Sequence, residues 1–99
     1  MCYVSAMIKT FHDKHTQALF NRTACHRKWR AIARMALRKL VMIHAAQNLN
    51  DLTRPPGNRL EPLKGNRLGQ HSIRINDQYR VCFEWKDGDA YGVEITDYH

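Results

Sequence analysis

The 99-residue chain has few acidic residues, and they are unevenly placed. It carries 9 Asp+Glu against 16 Lys+Arg, a formal net charge of +7, and no acid lies between Asp13 and Asp51. A two-metal nuclease needs clustered carboxylates, and this scatter does not supply them. The positive balance favours a polyanionic partner, which means a nucleic acid, an anionic membrane surface or an acidic protein.

Cysteines and long apolar runs are also scarce. Cys2, Cys25 and Cys82 are an odd number without C-x-x-C spacing, which argues against a disulfide framework or a zinc site and fits a reducing cytoplasm. No apolar run approaches the roughly 18 residues of a membrane span, so we expect no membrane partner. The G-x-S-x-G, H-E-x-x-H, Walker A and G-x-G-x-x-G motifs are absent, and we expect neither a metal nor another cofactor.

The length predicts a single domain. We assign the domain to residues 7–99 and treat residues 1–6 as an N-terminal extension, because Met7 opens a strand-like segment, 7–11. Residues 13–22 are predicted to form a short helix that Asp13 caps.

Apolar residues at i, i+3, i+4 and i+7 spacing predict a long amphipathic helix over about 25–47. His44 lies on its apolar side, where we expect a packed core histidine. The other side of the predicted helix carries six cations: Arg27, Lys28, Arg30, Arg34, Arg38 and Lys39.

The rest of the chain is strand-like. An extended piece is predicted at 58–63, and strands are predicted at 71–75, 78–85 and 90–99, with hairpin turns between the last three. Alternation predicts that one face holds Tyr79, Val81, Phe83, Trp85, Tyr91, Val93 and Ile95, and that the other holds Arg80, Cys82 and Glu84. The order predicts an α+β fold, a small antiparallel sheet packed against two N-terminal helices.

Five residues could carry chemistry without a metal: Lys64, Arg80, Asp97, Tyr98 and His99. RNA cleavage needs a base for the 2′-OH, cations for the phosphate and an acid for the leaving 5′-oxygen. Asp97 or His99 could be the base, Lys64 and Arg80 the cationic clamp, and Tyr98 a stacking or orienting group. The alternative interpretation is solvated charge at strand ends and a frayed terminus.

Two stretches carry a resemblance to a known family. They read "PPGNRLEPLKGNRLGQHSIRINDQYRVCFEW" and "DAYGVEITDYH". They resemble the HigB (plasmid maintenance killer) branch of the RelE/ParE toxin superfamily, specifically over 55–99 and more loosely over 7–50. The resemblance implies a small twisted antiparallel sheet on two helices. It also implies a ribosome-dependent mRNA endonuclease of a type II toxin–antitoxin system, which cuts message in the A site by metal-free 2′-OH attack. Its implied partners are the ribosome, mRNA and a HigA-like helix-turn-helix antitoxin.

The positions that match the family's site are Lys64, Arg80, Asp97, Tyr98 and His99. Some family members place a catalytic histidine just before P-L-K-G, where this chain has Glu61. A glutamate can also act as a general base, so the proton-transfer role stays open between Glu61, Asp97 and His99.

Two other functions share features of this sequence. A ParE-like gyrase inhibitor has the same fold, but ParE-type toxins lack the set formed by Lys64, Arg80 and the terminal D-Y-H. A non-enzymatic nucleic-acid-binding module would use the basic helix against phosphates. In the toxin interpretation, the same six cations are expected to contact ribosomal RNA phosphates or an acidic antitoxin.

Overall fold

Two α-helices precede a four-stranded antiparallel sheet whose strands lie side by side in chain order. The structure is a computed structural model that describes residues 8–54 and 56–97. The predicted extension at 1–6 and the candidate residues Tyr98 and His99 lie outside the described residues. The elements are α1 (Lys14–Asn21), α2 (Ala33–Ala45), β1 (Glu61–Pro62), β2 (Gln70–Arg74), β3 (Tyr79–Lys86) and β4 (Asp89–Asp97). The predicted α+β class is confirmed.

Helix α1 begins where the sequence predicts it. The Asp13 carboxylate accepts a hydrogen bond from the Thr16 backbone N–H at 2.7 Å, which satisfies one of the free donors of the first turn. The residue that follows the helix, Arg22, adopts a left-handed conformation with φ 61° and caps its C-terminus. Thr16 and Leu19 are buried against the rest of the fold.

The predicted continuous helix over 25–47 is wrong in its first third. Residues Arg27–Ile32 form a 3₁₀ helix, and the α-helix starts only at Ala33. The His26 Nδ1 atom caps the 3₁₀ helix by accepting from the Lys28 backbone N–H at 3.2 Å. The buried residues Trp29 and Ile32 are three positions apart, a spacing that fits a 3₁₀ helix as well as an α-helix.

The helices cover one face of the sheet, and the core lies between the helices and that face. Fully buried side chains from α2, β2, β3 and β4 meet there, among them Leu40, Ile43, Ile73, Val81, Phe83 and Val93. Leu37 of α2 is half-buried, and so is Trp85, which was predicted to face inward and lies at the edge of the core. His44 is also half-buried, and its Nδ1 atom accepts from the Ile8 backbone N–H at 3.2 Å.

The predicted strand at 7–11 is reduced to two isolated parallel bridges, in which Ile8 pairs with Ala90 and Phe11 with Val93. Met7 lies outside the described residues. The 58–63 segment is also less regular than predicted, because it contains the end of a 3₁₀ helix and only the two-residue strand β1. In the described residues no helix has the length and apolar character needed to cross a membrane.

A β-bulge in β4 changes which side chains face outward. Cys82 pairs with Glu94, but Glu84 pairs with Tyr91, so β4 has one more residue than β3 between these pairs. Gly92 lies in the bulge with φ 59°, a conformation that favours glycine. The alternation therefore shifts by one residue. Ala90 is fully buried, and Tyr91 stands beside Glu84 on the outer face, so the prediction of an inward Tyr91 is wrong.

Candidate active site

The face of the sheet that points away from the helices is polar and forms the floor of the site. Alternation places three rows of register partners on this outer face: Arg74 with Arg80 and Thr96, Ser72 with Cys82 and Glu94, and Gln70 with Glu84 and Tyr91. Glu61 pairs with Ser72 and extends the middle row onto the edge strand β1. Arg80 and Glu61, two of the predicted site residues, therefore share this face.

Arg80 is a cation held in a fixed orientation. Only 7% of its surface is exposed. Its Nε donates to the Ser72 Oγ at 2.8 Å, and its Nη2 donates to the Arg59 carbonyl oxygen at 2.6 Å. The same Nη2 lies 3.8 Å from the Glu61 Oε1. A planar guanidinium with this many constraints presents its charge without rearrangement.

The loop that carries Arg59 is anchored by the buried side chain of Asn58. The Asn58 Nδ2 donates to the carbonyl oxygens of Leu52 and Arg54, each at 3.2 Å. Its Oδ1 accepts from the Lys39 Nζ. Every polar atom of this fully buried side chain is thus hydrogen-bonded, and the anchor connects α2 with the carbonyl that orients Arg80.

Six polar residues line a cavity of about 350 Å³ around Arg80: Arg59, Glu61, Arg74, Asn76, Asp77 and Arg80. Arg74 forms an ion pair with Asp77 in the β2–β3 turn. The Glu61 side chain is 53% exposed, so a bound molecule can reach its carboxylate. An exposed carboxylate beside a fixed guanidinium can exchange a proton with a ligand whose negative charge the guanidinium stabilises.

Lys64 lies next to this cavity rather than inside it. Its side chain is exposed in the turn after Leu63, and it lines a second cavity of about 350 Å³ together with Glu61 and Arg67. Glu61 belongs to both cavities and joins them. The structure thus brings Glu61 and Arg80 together and places Lys64 within the same groove.

Asp97 lies at the end of β4, one residue beyond the register partner of Arg80. It pairs with Tyr79, and its Oδ2 accepts from the Gln78 Nε2 at 3.1 Å. It is exposed, and it marks the end of the described chain. The other two residues of the terminal D-Y-H, Tyr98 and His99, lie outside the described residues.

Sequence reasoning missed three residues that build this site: Arg59, Ser72 and Arg74. Strand alternation could have found two of them, because Ser72 and Arg74 share the outer face with Arg80. Arg59 contributes its backbone carbonyl to Arg80, and no residue pattern reports such a contact.

Five of the six predicted cations are exposed, and Lys39 is not. Arg27, Lys28 and Arg30 are exposed on the 3₁₀ helix, and Arg34 and Arg38 are exposed on α2. Lys39 instead points to Asn58, and partial burial lowers its pKa, with repulsion from Arg38 and Arg74 adding to the effect.

Arg34 and Arg38 border an apolar groove between α1 and α2. Two adjoining cavities of about 480 and 430 Å³ share Arg22, Arg34 and Leu37. Val41, whose surface is 41% exposed, adds to the apolar floor.

No group of three or more His, Cys, Asp or Glu side chains suited to a metal ion occurs within 8–54 and 56–97.

Comparison with known proteins assigns the chain to a class and then to a family. Residues 9–99 match the family of RelE-like toxins of the type II toxin–antitoxin system HigB. Toxin HigB-1 of Vibrio cholerae is 45% identical over 90 residues, which are 90% of this chain and 95% of that protein. Endoribonuclease HigB of Proteus vulgaris is 32% identical over 93 residues, which are 94% of this chain and 100% of that protein.

Two solved structures are also similar, each with a TM-score of 0.49 and 16% identity over 93% of this chain. They are a YoeB-YefM complex from Staphylococcus aureus, matched over 97% of its chain, and a YoeB/ParE toxin from Agrobacterium tumefaciens, matched over 99%. The family match defines a toxin of a type II toxin–antitoxin system. Within that class, the chain belongs to the HigB family of RelE-like toxins, as the sequence resemblance implied.

Proposed function

We propose that this toxin is an endoribonuclease that cuts messenger RNA in the decoding A site of the ribosome. The observation that carries the proposal is the Glu61 carboxylate 3.8 Å from the buried Arg80 guanidinium, on the open face of the sheet. A relative aligned over 94% of the chain bears the name Endoribonuclease HigB, which supports the same activity here.

In the proposed reaction the 2′-OH of the message attacks the adjacent phosphate. Glu61 takes the 2′-OH proton, and Arg80 stabilises the charge that grows on the phosphate oxygens. Lys64 adds a second positive charge from the adjoining part of the groove. The bond to the 5′-oxygen then breaks, and His99 protonates that oxygen as it leaves.

The D-Y-H end completes the proposed site. Asp97 orients the last residues or the 2′-OH, and Tyr98 stacks on a base of the message. Arg80 needs little reorganisation in this reaction, because Ser72 and Arg59 already fix its guanidinium. Preorganised charge of this kind is usually the largest single contribution to such a rate.

The exposed cations provide the proposed contacts with large partners. Arg27, Lys28 and Arg30 are assigned to ribosomal RNA phosphates, because all three are exposed and lie close together on the 3₁₀ helix. The toxin acts in the cytoplasm, where its ribosomal target is.

The antitoxin, a HigA-like helix-turn-helix protein, is assigned to the groove between α1 and α2. An amphipathic acidic segment would bury its apolar side against Leu37 and Val41 and pair its carboxylates with Arg34 and Arg38. A phosphate backbone offers no apolar surface to cover that floor, so the groove favours protein.

The decisive experiment maps the 5′ ends of messages after induced expression and measures single-turnover cleavage on programmed ribosomes. Glu61→Gln is expected to slow cleavage by about 10²–10⁴-fold, while the matched carboxylate-to-amide control Asp87→Asn in the exposed β3–β4 turn keeps the wild-type rate. Deletion of His99 is expected to lower the rate similarly and to leave the melting temperature unchanged.

Three results would redirect the proposal. A Glu61→Gln rate within about threefold of wild type would transfer the base to Asp97 or His99, since so small a loss is under roughly 0.7 kcal/mol of barrier. A silent His99 deletion would remove that residue from the site. Growth arrest with inhibited gyrase and no new message ends would replace the nuclease by a ParE-like toxin.

A further inference from the structure

A second polar cavity lies on the outer face of the sheet, beyond the groove that holds Glu61 and Lys64. Its volume is about 440 Å³, within the range of about 300–1,000 Å³ that small-molecule sites occupy. The side chains that line it are His12, Asn66, Arg67, Gln70, Glu84, Tyr91 and Glu94. The β4 bulge creates it, because the bulge turns Tyr91 outward beside Glu84.

This cavity shares a lining residue with the groove of the proposed active site. Arg67 lines both this cavity and the one that contains Glu61 and Lys64. Glu84 and Arg80 are four residues apart on the same face of β3, which is about 13 Å at ~3.3 Å per residue. A single-stranded RNA that has its scissile phosphate at Arg80 and runs along β3 would place a nearby nucleotide at this cavity.

Two carboxylates, Glu84 and Glu94, disfavour a phosphate as the occupant of the cavity, and the His12 Nε2 atom lies 3.9 Å from the Glu94 Oε1. Arg67 is engaged, since its Nη1 donates to the Glu94 Oε2 at 2.8 Å and to the Gln70 Oε1 at 3.1 Å. Glu84 is exposed, and within the described residues its carboxylate takes part in no ion pair. A free carboxylate beside a neutralised arginine repels anions and accepts hydrogen bonds.

Tyr91 gives the cavity an aromatic surface that suits a flat group. Tyr91 is half-buried and lines the cavity next to Gly92, where a Cβ atom would meet nothing within 4 Å. The backbone at Gly92 therefore leaves open space on its side of the cavity. Unstacked RNA bases bind in such places by stacking on an aromatic ring while their edges form hydrogen bonds.

We propose that this cavity is a nucleobase subsite, in which Tyr91 stacks on a base near the cleaved bond and Glu84 accepts a hydrogen bond from its exocyclic amino group. This subsite rests on the proposed RNA cleavage. Adenine, cytosine and guanine carry an exocyclic amino group, and uracil does not. The toxin consequently discriminates against uridine at one fixed position relative to the cut.

The test compares the base composition around mapped message ends, and the single-turnover rates on ribosomes that carry each A-site codon. Wild type is expected to disfavour uridine at one position. Glu84→Gln is expected to reduce this discrimination by about tenfold, because its amide can also donate to a uracil carbonyl. Tyr91→Ala is expected to slow cleavage of all codons by roughly tenfold, whereas Tyr91→Phe keeps the ring and the rate. Asp87→Asn is the matched control and retains the wild-type preference.

An unchanged base preference in Glu84→Gln, with cleavage intact, would overturn the subsite and leave the proposed function standing. A wild-type protein that cuts without any bias against uridine would do the same. Equal rate losses in Tyr91→Phe and Tyr91→Ala would overturn the stacking role. If the wild-type protein yields no cuts at all, the proposed function fails first and the subsite fails with it.

Discussion

Asn58→Ala tests whether one buried amide holds the loop that orients Arg80. The substitution removes the partners of the Leu52 and Arg54 carbonyls and of the Lys39 ammonium. A buried polar group left unsatisfied costs about 1–3 kcal/mol. Leu52 is only 1% exposed, so the full cost applies to its unpaired carbonyl. The Arg54 carbonyl and the Lys39 ammonium can form hydrogen bonds with water instead, so their cost is smaller. We expect a loss of about 3 kcal/mol in the free energy of unfolding.

Thermal unfolding followed by circular dichroism measures this loss. One kcal/mol lowers the melting temperature of a domain this size by about 4–8 °C, so Asn58→Ala is expected to lower it by about 12–24 °C. The matched control is Asn66→Ala, which makes the same change in the second G-N-R-L tetrapeptide, where the asparagine is exposed. Its effect on the unfolding free energy is expected to stay within about 0.5 kcal/mol. Equal melting temperatures for the two variants would refute the anchor.

A second measurement separates the anchor from a general loss of stability. At a temperature where Asn58→Ala is still folded, displacement of the Arg59 carbonyl frees the Arg80 guanidinium to move. Message cleavage is then expected to fall by at least about tenfold, because a small misplacement of a catalytic group is costly. Full activity in the folded variant would show that Arg80 is held without this loop.

Three further predictions concern the core, the 3₁₀ helix and the basic surface. Phe83→Ala empties a fully buried position and should cost about 3–5 kcal/mol; a cost as small as that of Leu68→Ala, at a site 80% exposed, would contradict the core assignment. Partial burial, with nearby His15, Lys28 and Arg27, lowers the His26 pKa below 6.5, so its contribution to stability is complete above pH 6.5 and is lost as pH falls through the folded-state value. The His26→Asn variant keeps a capping acceptor that does not titrate, so its melting temperature should fall less than that of the wild type between about pH 7 and 5. An equal fall in melting temperature for the two proteins would exclude the histidine cap. Replacing Arg27 and Arg30 by alanine should make the salt dependence of ribosome binding shallower by about 1–2 units of slope, and an unchanged slope would leave them as solvated charges.

Local physics explains the elements that the sequence predicted. Asp13 caps α1 through its own backbone neighbours, and alternating apolar residues give β2 and β3 a buried face wherever the pairing stays regular. The prediction failed where the same local pattern fits more than one structure. Spacing of three residues between Trp29 and Ile32 suits two kinds of helix, and the bulge that turns Tyr91 outward depends on how β4 pairs with its neighbour.

The candidate site was predictable in its residue types and less so in its geometry. The family resemblance pointed to Glu61, Lys64 and Arg80, and the structure places the first and last of these 3.8 Å apart. The catalytic roles of these residues stay predictions. The Arg59 carbonyl that fixes Arg80 could not be predicted, since a backbone oxygen is the same in every residue and only the path of the loop directs it.

The tetrapeptide G-N-R-L, which occurs at 57–60 and again at 65–68, separates the two kinds of information. In both places glycine and asparagine favour a turn, and a 3₁₀ helix forms there, although an extended piece was predicted to begin at Asn58. Only the tertiary structure decided that Asn58 is fully buried and Asn66 exposed. The reason is that Asn58 meets Lys39, 19 residues away on α2, whereas Asn66 faces solvent in the second turn.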